Sequence, residues 1–503
     1  MVMNPPNEVC LPVCVAYNPR MPVQNRIVKI QKRNRALVRF DESRIGRAIL
    51  RAAESIGGFG QDFLPEVNGK IFAANPSDEA VAGFLSDMAV VCLNSNPQHF
   101  IANFPPTIET IQDEVLHVLR SYGFQKTADA YECYRWGRHW LREGAITREQ
   151  FSGNGFPQAR MEQTQIWNRA HGVDTVAGLN ERVRSGKIHD VILASLAQYE
   201  ASLDEAANKV VARIKLGDRL RMIWVSGPSS SGKTTTTVKL TQRLAKHGLR
   251  FLMLNLDDYF WSAIEHPTDW LNDRNFEAPE ALDIQLLNEH LRALLDGQTV
   301  DQPLYNFKEG RRNGTKPVRL EPDQILLLDC LHGFYPPITE GIDNSMQFRL
   351  YIEAMNVLYD DNGKMTQFTD ARLMRRMLRD VKHRNHSPLA TILHWHYVRY
   401  GELFSIIPLM GLADHVVNGG MPFDLPALKP FLLGEGNYLP KPGDFAQYTG
   451  FLDARIRYDR VKKLLESVEG FSQAQVKGYD LIPGDAVIRE FVGGSTVQIP
   501  HNE

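Results

Sequence analysis

The chain has 503 residues, with 57 Lys and Arg against 59 Asp and Glu and a formal net charge of -2; the length suggests about two to four domains, and the balance excludes a global basic field for nucleic acid. Five scattered cysteines read as reduced thiols rather than a disulfide framework, and the Cys10/Cys14 pair has no second ligand pair for zinc. No apolar run approaches a membrane span, and the first residues lack a signal-peptide layout, so the expected compartment is the cytoplasm.

Residues 1–24, rich in Pro, Asn and Val, read as a flexible arm. Ile27 to Phe40 reads as two short strands around a turn, and Asp41 stands where a helix cap belongs. Ile45, Ala48, Ile49 and Ala52 form one apolar helix stripe. Further helices are expected over Asp78–Cys92, after Pro106 with Ile108, Ile111, Val115 and Leu119 on one face, and through Ala128–Trp136. A hairpin and four helices make one domain over about 25–140. Residues 141–165 have no period and read as a linker, and helices follow to 218. From 219 to about 437 strands and helices alternate, which predicts a parallel α/β sheet. Residues 438–503 form an extension expected to pack on that domain.

Gly227-Pro-Ser-Ser-Ser-Gly-Lys-Thr234 fits the phosphate-binding loop pattern without mismatch, between a buried strand (221–226) and a helix (235–247). Its glycines let the backbone N–H groups of Gly227, Pro228, Ser229, Ser230, Ser231, Gly232, Lys233, Thr234 and Thr235, Pro228 excepted, curl toward phosphate oxygens at a helix N-terminus. Lys233 would reach the β- and γ-phosphates of ATP and Thr234 would hold Mg²⁺. Phe251–Leu256 reads as a second strand ending in Asp257-Asp258, which puts Asp257 where it can take a proton from an attacking hydroxyl. Ile325-Leu-Leu-Leu-Asp329 is an apolar run ending in an acid suited to Mg²⁺.

Arg372, Arg375, Arg376 and Arg379 share one helix face, with Leu373, Met374, Met377 and Leu378 on the other. The arginine fork suits phosphate, so the stripe reads as a mobile lid over the triphosphate; a nucleic-acid role ranks lower because no aromatics interleave. His394 and His396 at i and i+2 point apart on a helix, so packing or surface roles are expected of them rather than a shared metal.

Together these motifs resemble the uridine kinase and phosphoribulokinase family of P-loop kinases over most of 219–437. The resemblance includes Asn275-Phe-Glu-Ala-Pro-Glu-Ala-Leu-Asp283, Pro303-Leu-Tyr-Asn-Phe307, Gly310-Arg-Arg312 and Ala413-Asp-His-Val-Val-Asn418. It implies Asp257 as base, Glu277 on the sugar hydroxyls, Tyr305 and Phe307 at the base wall, Arg312 on the substrate side, Asp329 at the metal, and Arg376 and Arg379 as phosphate-neutralising arginines. Gly310 departs from the family, which carries a base-reading histidine there. Val173–Lys187 and Ile482–Ser495 resemble a long bacterial subgroup. Residues 25–140 resemble the ATP-cone, a nucleotide-sensing module, through Lys32-Arg33, Phe40-Asp41, Arg44-Ile45, Thr110–Val115 and Ala128–Tyr131, with Asn34-Arg35 replacing the usual Asp-Gly. The resemblance implies regulatory ATP or dATP near Lys32, Arg33 and Arg44.

The expected fold is thus an α/β P-loop kinase with a helix-flanked parallel sheet, a mainly helical ATP-cone domain and a helical linker. The expected activity is ATP- and Mg²⁺-dependent phosphorylation of a small-molecule hydroxyl, a nucleoside first. A sugar- or glycerate-type alcohol, or a nucleotide-sensing assembly protein with little catalysis, are the alternatives. No nucleic-acid or membrane partner is expected, and homo-oligomerisation is left open.

Overall fold

The computed structural model describes residues 23–69, 71–72, 76–100, 104–151, 158–268, 273–307, 309–384, 386–434, 438–448 and 452–498; the arm expected over 1–24 lies outside them but for its last two residues. An antiparallel hairpin comes first, β1 (Lys29–Gln31) with β2 (Leu37–Arg39). Arg35, with φ 64°, takes the left-handed turn position. Helices α1 (Ser43–Glu54), α2 (Pro65–Asn68), α3 (Asp78–Ser95), α4 (Ile108–Ser121) and α5 (Gln125–Arg142) follow. Ser77 and Thr107 start α3 and α4 by accepting the N–H of Ala80 and Thr110. Asp41 does not cap α1 in this way; its carboxylate accepts from Ser43 Oγ at 2.6 Å and from Arg44. The apolar faces meet in one cluster that includes Ile45, Ile49, Leu85, Val115 and Leu119.

The stretch expected to be linker up to 165 is helical from Gln158, in α6 (Gln158–His171). Then come α7 (Val176–Arg184) and the long α8 (Ile188–Lys215). The α/β part runs β3 (Met222–Ser226), α9 (Lys233–Ala245), β4 (Arg250–Asn255), α10 (Ile284–Leu295), β5 (Thr299–Asn306), β6 (Arg311–Arg319), β7 (Gln324–Cys330), β8 (Gln347–Glu353), α11 (Thr369–His383), α12 (Pro388–Gly401), β9 (His415–Asn418) and α13 (Asp424–Leu432). The C-terminal stretch adds α14 (Leu452–Ser467), α15 (Gln473–Lys477) and α16 (Arg489–Val492).

Five strands pair in the order β4-β7-β3-β8-β9, all parallel. Their residues alternate between two cores. Ile223, Val225, Ile325, Leu327, Phe348 and Leu350 face the layer holding α8, α9, α11 and α14. Trp224, Leu326, Leu328 and Tyr351 face the layer holding α10 and, from the N-terminal unit, Trp140. A parallel sheet covered on both faces needs apolar residues at every step, which is why these strands read as unbroken apolar runs. β5 and β6 are an exception to the expected alternation: they form a separate antiparallel hairpin. Among the described residues no helix is long and apolar enough to cross a membrane.

Candidate active site

Parallel strands deliver their carboxyl ends to one edge, and the register fixes which residues meet there. Asn255 of β4 and Val225 of β3 both lie opposite Asp329 of β7. The loop after β3 therefore rises beside the ends of β4 and β7. Gly227 backs onto the carbonyl of Ile352 so closely that a Cβ there would overlap it, and Gly232 takes φ 96°. The loop ends in α9, whose first turn presents free N–H groups.

Lys233 Nζ donates back to the carbonyls of Gly227 at 2.9 Å and Pro228 at 3.0 Å. Burial holds its amine below the usual value, against the pull of Asp329. Burial pushes the Asp329 carboxyl up to about 6, while Lys233 and a hydrogen bond from the Thr234 hydroxyl oppose the rise. Asp257 is exposed at the turn after β4, and its charge is felt by both Asp329 and Cys330. The base candidate thus lies at the surface rather than in the interior, within charge range of Asp329. The hydroxyls of Ser230 and Ser231 are buried without a hydrogen-bond partner in the structure. Orphan donors in a glycine cradle fit phosphate oxygens, and a hydroxyl beside a desolvated carboxylate fits Mg²⁺, which keeps most of its ligands as water or phosphate.

The arginine stripe is where expectation and structure part. Arg372 and Arg375 are fully buried. Arg372 pairs with Glu353 at 2.9 Å and with Glu402, and donates to the carbonyl of Ser229 at 3.0 Å. Arg375 binds Asp424 at 2.7 Å and the carbonyl of Gly419 at 2.8 Å. Since Leu373, Met374, Met377 and Leu378 are buried too, α11 is packed on both faces. It is a clamp set under the loop, not the mobile lid expected. Arg376 spans the loop and the substrate side: it donates to Ser229 Oγ at 3.0 Å, Glu277 at 2.5 Å and Asp380 at 3.1 Å. Arg379 reaches Asp380 at 3.4 Å; burial, then Arg384, brings its guanidinium down to about 10.

Glu277 lies on the far side of Arg376. Burial opposes its ionisation, but Arg376 and His394 outweigh it and hold the carboxyl well below the usual range. His394 sits between Asp273 (Nδ1 to Oδ2, 2.6 Å) and Glu277 (3.7 Å). Burial alone would depress its imidazole; the two carboxylates raise it above its ordinary value. An aromatic row runs outward from there. Phe276 stacks edge-on against Phe260 (centroids 5.9 Å apart), Phe260 lies 5.8 Å from Tyr305, and Tyr305 lies 5.1 Å from Phe307. Tyr305 and Phe307 line an open pocket on the β5–β6 hairpin. Arg312, expected on the substrate side, is engaged as a strut: it donates to the carbonyls of Phe260 at 3.0 Å and Tyr259 at 2.7 Å and to Asp283 at 3.2 Å.

A sequence profile described as the Phosphoribulokinase / Uridine kinase family matches residues 222–421. The chain is 30% identical to a uridine kinase of Deinococcus deserti over 202 residues, which is 40% of this chain and 88% of that protein. The chain belongs to the phosphoribulokinase/uridine kinase family. It is a P-loop phosphotransferase acting on a small molecule. It is also 28% identical over 201 residues to uridine kinase-like protein 3 of Arabidopsis thaliana, covering 40% of this chain and 39% of that one. Among solved structures, one titled a possible uridine kinase from Bacillus stearothermophilus aligns at 16% identity and a TM-score of 0.28, covering 42% of this chain and 100% of that chain.

Within this kinase the residues the motifs named at the loop converge, and three others join them unannounced. His394, for which packing or surface roles are expected, hydrogen-bonds Asp273 at 2.6 Å and lies 3.7 Å from Glu277, while His396 bonds the carbonyl of Leu393. Asp273 anchors His394. Glu490, from α16, reaches Thr235 of the loop. Of the residues named for regulation, Arg33 pairs with Glu109 at 2.6 Å and with Gln112, Arg44 pairs with Asp41, and Lys32 is exposed at the hairpin turn.

Proposed function

We propose that this kinase transfers the γ-phosphoryl group of ATP to a hydroxyl of a nucleoside-like acceptor. The observation that carries the reading is the meeting of Asp257, Asp329, Thr234 and Lys233 at one sheet edge, with Glu277, Arg376 and His394 beside them. The triphosphate lies along Gly227–Thr235. Lys233 leaves the carbonyls of Gly227 and Pro228 to bind its outer oxygens, and Arg376 and Arg379 balance charge as the bond to the leaving group lengthens. Thr234 and Asp329 would hold Mg²⁺, which when bound screens the phosphate charge. Asp257 accepts the proton of the acceptor hydroxyl as its oxygen meets the phosphorus in line. Glu277, kept ionised, accepts from neighbouring hydroxyls of the acceptor, and the row from Phe276 to Phe307 receives its flat ring. ATP and Mg²⁺ are the co-substrates this reading needs.

Gly310 favours a second acceptor class. Its φ is 64°, a Cβ there would press on Ala263, and its carbonyl accepts from the Ala263 N–H at 2.7 Å. The family's histidine has no room in this backbone, so a pyrimidine loses a donor and a sugar- or glycerate-type alcohol gains ground. We further propose that the N-terminal unit senses ATP or dATP through Lys32, Arg33 and Arg44.

A panel of nucleosides, sugars and glycerate, assayed for ATP consumption, tests the acceptor. The Asp257→Asn protein should lose on the order of 10²- to 10⁴-fold in kcat with the best acceptor and keep its ATP affinity. Unchanged kcat would remove Asp257 from the chemistry. Identical ATP and dATP response curves in the full chain and in an Arg33→Ala, Arg44→Ala protein would remove the sensing role.

A further inference from the structure

We propose that the Glu490 side chain, carried on the anchored segment 484–492, is a built-in gate of the nucleotide cleft, its carboxylate standing where a phosphate oxygen must bind. This rests on the phosphotransferase reading of the cleft and adds a regulation to it. Glu490 Oε2 accepts from the Thr235 hydroxyl at 2.9 Å and lies 3.4 Å from the Thr235 backbone nitrogen. Thr235 is in the first turn of α9, where free N–H groups and the helix dipole favour an anion. The same carboxylate acts on Lys233, Asp329 and Arg379, the groups that line the cleft. It therefore lies against the end of the phosphate loop, within charge range of the groups of the cleft.

The segment is built to stay there. Val487 packs on Gly232 so tightly that a Cβ at that glycine would overlap it. Ala486, Val487, Ile488 and Phe491 are buried. Arg489 is buried and donates to the carbonyls of Val476 and Gly478, at 2.5 and 2.6 Å, and to that of Ile482. Lys382 of α11 caps the carbonyls of Phe491 and Val492, and Asp485 pairs with Lys239 of α9 at 2.9 Å. The guanidinium of Arg375 lies 5.0 Å over the Phe491 ring. With the backbone fixed at so many points, the side chain of Glu490 is the part that yields. It swings off Thr235 when a triphosphate arrives, and the cost of that swing is subtracted from nucleotide affinity. A polyphosphate carries enough charge to displace it, whereas a lone small anion competes poorly.

Titration calorimetry on the full chain tests this with Mg·ATP, pyrophosphate and adenosine as probes. Glu490→Gln keeps the shape and the bond from the Thr235 hydroxyl but removes the charge. It should bind Mg·ATP and pyrophosphate on the order of tenfold tighter than the unaltered protein, with adenosine unchanged. Glu490→Asp, with its carboxylate drawn back, should gain less. Unchanged or weaker Mg·ATP binding by Glu490→Gln overturns the gate, as does an equal gain for adenosine, which would mean general loosening. Lys233→Ala separates the two readings. If it loses Mg·ATP while Glu490→Gln gains nothing, the gate alone falls. If neither the unaltered protein nor Glu490→Gln binds Mg·ATP, the nucleotide reading falls with it.

Discussion

His394 shows how a single side chain reports on its surroundings. Its imidazole titrates above the ordinary value because Asp273 and Glu277 outweigh burial. A histidine raised on folding adds stability that is complete below its unfolded value of about 6.5 and disappears as pH rises through the folded value. The unaltered protein should therefore exceed His394→Gln in urea-unfolding free energy most at pH 6, with the gap closing toward pH 9. A gap that is flat, or that widens with pH, would contradict the pairing. The residues that sequence reasoning found and missed differ in one respect. Asp257 and Asp329 each end a local apolar run, so a short window displays them. His394 and Glu490 gain their meaning from partners 121 and 255 residues away, Asp273 and Thr235. No spacing rule reaches that far. Gly310 was legible as a missing histidine; its positive φ was not.

At the scale of the helix, α11 is the instructive element. The spacing of its arginines disclosed a single basic face. It could not disclose that Glu353, Glu402, Asp424, Glu277 and Asp380, drawn from four other places and the helix itself, would meet that face inside the protein. A surface stripe and a buried clamp have the same periodicity. They differ in stability. Arg372→Met would leave Glu353 and Glu402 with one buried cation fewer, at a cost of about 3–5 kcal/mol, whereas Arg384→Met removes a half-exposed arginine 3.8 Å from Asp380 and should stay within about 0.5 kcal/mol. Thermal unfolding of both proteins checks the contrast; equal losses would mean that α11 is not held by its buried charges. The β5–β6 hairpin escaped the sequence for a related reason. Its strands carry little apolar alternation, because β6 is mostly exposed.

Across the molecule, a run of buried charges links the N-terminal unit to the phosphate loop. Asp129 of α5 accepts from Arg399 at 2.8 Å; Arg399 pairs with Glu402, which opens a π-helical turn; Glu402 pairs with Arg372; and Arg372 holds the carbonyl of Ser229. π-helical turns recur at functional positions. Asp129→Ala should lower the melting temperature and weaken ATP binding, because the loss is passed along the run. Asp113→Ala, which breaks an outward pair with Arg135, should change neither. Equal ATP affinity in the two variants would sever the link. The parallel sheet and its order of motifs were open to reading from sequence, since apolar runs and the glycine loop are local. The stretch after 438 was expected to pack on this domain; that it and α8 both share the sheet's own core was not legible.

That sharing bears on biosynthesis. The wall against Gly232 and the occupant of Thr235 come from Val487 and Glu490, so the cleft stays unfinished while the ribosome is still adding them. Contacts spanning so much polypeptide also form slowly. A chain translated only through α9 would carry its phosphate loop uncovered, and its protection would arrive only once residues 484–492 had been made.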